Sequence, residues 1–64
     1  MTAGHRKSYE DRLGDGLEIV LGNGAEDLAA IAEGLNAIGV TGPRGEHWTG
    51  TLLAAEFARL AAAA

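Results

Sequence analysis

Sixty-four residues without cysteine make one small domain, near the lower limit at which a chain buries enough apolar surface, and they leave no disulfide framework or Cys-based zinc site. The net charge of −4 is uneven: Arg6, Lys7 and Arg12 outweigh Glu10 and Asp11 in residues 1–12, while Arg44 and Arg59 face seven acids in residues 13–64. No apolar run reaches the ~18 residues of a membrane span and no signal-peptide core follows the basic start, so a cytoplasmic protein without membrane contact is the expectation.

Residues 1–7 lack apolar periodicity and read as a mobile arm before a single domain at 8–64. Its His5-Arg6-Lys7 cluster is suited to phosphate or an acidic partner, though short charged termini are usually solvated tails. Ser8, three residues before Asp11, resembles a capping signal, and Tyr9, Leu13, Leu17, Val20 and Leu21 recur at helical spacing. A first helix over Tyr9 to Leu21 follows. Gly14 and Gly16 weaken it by roughly 1 kcal/mol each relative to Ala, which makes sense if another backbone packs close there. A phosphate loop is disfavoured, because Gly14-Asp15-Gly16 lacks the strand, further glycine and Lys of a phosphate cradle.

Gly22-Asn23-Gly24 suits a tight connection between helices, with Asn23 able to cap. Glu26 and Asp27 then fall in the first turn of a second helix, spanning about Ala25 to Ile38, with Leu28, Ile31, Leu35 and Ile38 as its stripe. Gly39, where a positive φ is needed, and Val40 form a Schellman-type stop. Thr41-Gly42-Pro43-Arg44-Gly45 is a turn through which no helix can run. Trp48, the only tryptophan, is placed as a staple under a third helix capped by Thr49 and running from Gly50 to Ala61 or beyond. Asn36 is positioned to bond to the backbone of this corner. Gly39, Pro43, Gly45, Trp48 and Thr49 thus define the structural corner.

The third helix sets Leu53, Phe57 and Leu60 inward, widened by Leu52 and Ala55. Its alanine-rich end, Ala61 to Ala64, is expected to fray. The predicted core is Leu13, Leu17, Val20, Leu28, Ile31, Leu35, Ile38, Trp48, Leu53, Phe57 and Leu60. The fold class is all-α, a three-helix bundle with a helix-turn-helix-like corner between helices 2 and 3.

The run Gly39 to Thr49, preceded by Ile31-Ala32 and Leu35-Asn36, resembles the helix-turn-helix segment of large serine recombinases. The joint spacing of Leu-Asn, Gly, Pro-Arg-Gly and Trp-Thr carries the likeness, without a gap, over about Leu28 to Phe57. Small stand-alone recombinase-like helix-turn-helix proteins are similar in length and acidity as well. The resemblance implies a helix that enters a DNA groove, and, more distantly, a small accessory subunit beside a Rieske-type oxygenase component. In the recombinases the positions matching Ala54 and Ala55 are commonly basic, whereas the only charged residues of Thr49 to Ala64 here are Glu56 and Arg59. The turn is also longer than the 3–4 residues of a compact helix-turn-helix.

Arg6, Lys7, Arg12, Arg44, His47 and Thr51 are the candidate partner or DNA contacts. Acidic groups on the same small body would repel a duplex. No polar groups converge for catalysis: His5 lies on the arm and His47 in a turn. A bundle this small also has little volume for a substrate pocket of several hundred Å3. No catalytic, cofactor or metal site is expected, and a Rieske cluster would need Cys and His ligands that this chain lacks. The resulting expectation is a non-enzymatic interaction module that binds a larger protein subunit or itself, with DNA binding as the alternative. An exposed apolar patch drawn from Tyr9, Leu21, Val40 and Leu52 would be its docking face.

Overall fold

The computed structural model describes residues 8–63, so the expected arm, with Arg6 and Lys7, lies outside the described residues. Three helices, α1 (Tyr9–Gly22), α2 (Leu28–Ala37) and α3 (Gly50–Ala63), form an all-α bundle in which α2 packs against both of the others.

Capping chemistry sets the boundaries. The Ser8 hydroxyl accepts from the Asp11 N–H at 3.1 Å, starting α1 where the sequence places it. At its end, Gly24 takes a φ of +99°, while the Gly24 and Ala25 N–H groups donate to the Leu21 and Val20 carbonyls. That is a complete Schellman motif, and Ala25 packs onto the core as its apolar closing contact. The motif occupies residues 23–25, so α2 begins later than Ala25. Asp27, expected inside the first turn, is instead the N-cap: its backbone is extended and its Oδ1 accepts from the Ala30 N–H at 2.8 Å. Asn23, read as able to cap, is the C-cap of α1.

α2 closes as α1 does. Gly39 has a φ of +84°, and the Gly39 and Val40 N–H groups donate to Asn36 and Leu35 carbonyls at 3.2 and 2.9 Å. α3 reaches Ala63, so its alanine run is helical as far as it is described rather than frayed.

Leu13, Val20, Ile31, Ala32, Leu35, Trp48 and Leu53 make the core, with Leu17, Phe57 and Leu60 half-buried against it. Two expected members are not in it: Leu28 and Ile38 are exposed. The reason is the shorter α2. Leu28 is its first residue and Ile38 its C-cap, so both ends of the apolar stripe overhang the region that α1 and α3 cover.

Glycine makes the α1–α2 crossing possible. A Cβ on Gly16 would stand 2.9 Å from Leu35 and Val40 methyls, and one on Gly34 would stand 2.8 Å from a Val20 methyl. Contacts that short are well inside van der Waals separation, so both sites require the missing side chain. The close approach expected at Gly14 does not occur; nothing lies within 4 Å of its Cβ position.

Candidate functional site

The corner and α3 are where a helix-turn-helix would present its recognition surface, and the corner is built from α2 outward. Asn36, in the last turn of α2, uses both ends of its amide. Its Oδ1 accepts from the Trp48 N–H at 2.7 Å, and its Nδ2 donates to the Trp48 carbonyl at 2.9 Å. This two-point clamp copies a strand pairing with one side chain, and it seats the indole in the core. The indole Nε1 is buried with no hydrogen-bond partner, so Trp48 acts there through its apolar area.

Between the clamp and the end of α2, the Gly45 N–H donates to the Gly42 carbonyl and the Gly42 N–H to the Glu46 carbonyl, closing a tight loop around Pro43 and Arg44. Gly45 has a φ of +82°. The Glu46 carboxylate folds back to accept from the Arg44 N–H at 2.7 Å. Residues 38–49 therefore return along α2: Trp48 pairs with Asn36 near the end of that helix, and the next residue but one, Gly50, lies against Leu28 and Ala29 at its start. A compact helix-turn-helix, by contrast, launches its second helix after a 3–4-residue turn. Thr49 caps α3, its Oγ1 accepting from the Leu52 N–H at 3.1 Å.

Along α3, Leu53 and Glu56 face inward, whereas Thr51, Ala54, Ala55, Ala58 and Arg59 are exposed. Glu56 is the feature that sequence reasoning missed. It is 4 % exposed and is bonded by Tyr9 from α1 and by Arg59 one turn on. Its Oε2 accepts from the Tyr9 hydroxyl at 2.7 Å, and the Arg59 Nε and Nη2 grip its two oxygens. The bonds from Arg59, then that from Tyr9, hold its carboxyl down to about 2 from the ordinary 4.5. Burial first, and the Glu56 bond second, push the Tyr9 phenol well above its usual value. A signal did exist locally: position 56 falls on the inward row of Leu53, Phe57 and Leu60. Nothing local pointed to Tyr9, 47 residues earlier.

The candidate contacts occupy separate elements. Arg12 stands on the α1 wall of a groove, Arg44 and His47 are exposed on the corner loop, and Thr51 is exposed in the first turn of α3. Of the expected apolar patch, only Leu21 is exposed; Tyr9, Val40 and Leu52 pack on the core, and the exposed large apolar residues are Ile19, Leu21, Leu28 and Ile38.

Two open grooves flank Ile38, of about 370 and 310 Å3. Volume of this order was not expected from so short a chain. The grooves arise because α2 ends early and leaves Ile38 as a ridge beside α1. They are lined largely by glycine, alanine and aliphatic side chains, and His47 lines neither. Among the described residues, no group of three His, Asp or Glu side chains is placed to hold a metal ion, and no helix is long and apolar enough to cross a membrane.

Compared with known proteins, residues 3–62 match the family model of the recombinase-like helix-turn-helix domain. No curated protein and no solved structure matches the chain.

Proposed function

The chain belongs to the recombinase-like helix-turn-helix family, and from that premise we propose that it is a non-catalytic recognition module that docks onto a larger protein. The observation that carries this reading is the chemistry of the outward face of α3. Thr51, Ala54, Ala55 and Ala58 are exposed and uncharged, and the helix's one cation, Arg59, spends its Nε and Nη2 on Glu56. A helix that reads a major groove needs donors for base edges and cations for phosphates. Small side chains favour close approach of another backbone instead. The acids add a second obstacle to a duplex: Arg12, Arg44 and Arg59 are the cations of residues 8–63, against all nine carboxylates of the chain.

An oxygenase component as the specific partner draws no support from the fold or the family match, so the partner is described only as a protein. DNA binding is the second reading, favoured by the family itself and by a Thr49-capped helix following the corner.

Titration of labelled mixed-sequence duplex at about 50 and about 200 mM salt separates the two. The protein-docking reading expects no binding at either concentration. Binding at low salt that collapses at high salt would establish the DNA reading in its place.

A further inference from the structure

The apolar groove between α1 and the corner is unused by anything described so far. Ile19 on α1 and Ile38 at the end of α2 rise on its two sides, 51 % and 42 % exposed, over a floor of Gly16 and Val40. Because Gly16 lacks a side chain, Leu35 and Val40 come up beneath it and the floor is apolar. Ile38 also lines the second groove, together with Ala30 and Gly34 on its own helix and Val20 on α1. One apolar ridge between two hollows is the relief that takes apolar side chains spaced three or four apart on a helix.

Charge decides what kind of helix fits. On α1, Asp15 lines the groove with Arg12, Gly16 and Ile19, and Asp11 and Glu18 stand one turn to either side of it, at i, i+4 and i+7 along one row. Arg12 is the cation at one end of that wall, and Glu10 adds another carboxylate to the same helix. A second copy of this chain would bring the same acids face to face, and a nucleic acid would fare worse. A cationic helix meets both requirements.

Resting on the protein-docking reading above, we infer that the groove flanked by Ile19 and Ile38 receives an amphipathic helix of a partner protein, its apolar stripe bordered by Lys and Arg. Ile19 and Ile38 are the anchors and the acidic row of α1 is the rim.

The test uses fluorescein-labelled amphipathic helical peptides of about 18 residues, about 27 Å long, one built from Leu and Lys and one from Leu and Glu. Anisotropy titrations at about 50 mM salt would include a labelled duplex as a third probe. The Lys peptide is expected to bind and the Glu peptide not to. Ile19→Asp and Ile38→Asp, both at exposed sites, are each expected to weaken binding by about tenfold or more with unchanged melting by circular dichroism. Binding of the Lys peptide that ignores both isoleucine substitutions, equal binding of the two peptides, or no peptide binding would overturn the inference. So would a wild-type dimer in sedimentation equilibrium that Ile38→Asp splits, since a second copy would then be the occupant. Duplex binding would overturn the underlying reading, whereas failure of the peptides alone overturns only the groove.

Discussion

Removing the Asn36 clamp should cost this domain a large part of its stability. Asn36→Ala deletes two hydrogen bonds and leaves the N–H and carbonyl of the buried Trp48 unpaired. Leaving one buried polar group unsatisfied costs roughly 1–3 kcal/mol, and water entering the space vacated by the truncated, half-buried Asn36 side chain places these two at about 1–2 kcal/mol each. Better helix propensity of alanine returns about 0.5 kcal/mol. The net loss is about 1.5–3.5 kcal/mol, against a total of about 3–10 kcal/mol for a chain this short. In a thermal melt followed by far-ultraviolet circular dichroism, that corresponds to a fall in Tm of about 10–20 °C. Asn36→Asp keeps the acceptor for the Trp48 N–H but loses the donor to its carbonyl, so it should also be destabilised. A melting temperature for Asn36→Ala within about 4 °C of wild type would refute the clamp as the fastening of the corner, since that shift equals less than about 1 kcal/mol.

Trp48 itself should tolerate loss of its Nε1 but not of its bulk. Trp48→Phe removes an unpartnered buried donor and is expected to cost less than about 2 kcal/mol, while Trp48→Ala should cost about 3–5 kcal/mol, both read from urea unfolding. The two glycines of α1 should part company. Gly14→Ala meets open space and should stabilise by about 0.5–1 kcal/mol, whereas Gly16→Ala would press on Leu35 and Val40 and should destabilise by about 1–3 kcal/mol, compared by chemical melts. The Glu56 carboxyl is depressed in the fold, so its stabilising effect is present above about 4.5 and is lost as pH falls towards 2. The difference in urea midpoint between wild type and Glu56→Gln should therefore shrink across that window; a constant difference would contradict the assigned bonds.

Those features explain which parts of the fold were legible in the sequence. Glycine stops, an N-cap serine, a Pro-centred turn and a threonine cap act within a few residues, so the corner and the ends of α1 were readable from the chain alone. The start of α2 was not, because Glu26 and Asp27 fit either a first turn or a cap. The first Schellman motif, extending to Ala25, settles the matter by using up the residues before them. Core membership failed at Leu28 and Ile38 for the same reason: periodicity marks a face but not how far neighbouring helices cover it. Gly34 and Tyr9 act through contacts distant in sequence, with Val20 and Glu56 respectively, and neither has a local signature. The grooves beside Ile38 are products of packing and were unreadable for that reason.

Spectra of the 15N-labelled protein with and without mixed-sequence duplex at about 50 mM salt would test the functional account residue by residue. The uncharged outward face of α3, with Arg59 held by Glu56, predicts that the amides of Thr51, Ala54, Ala55 and Ala58 stay where they are when duplex is added. Shifts concentrated on Thr49 to Arg59 and on Arg44 and His47 would contradict it, and would place DNA on the corner and α3.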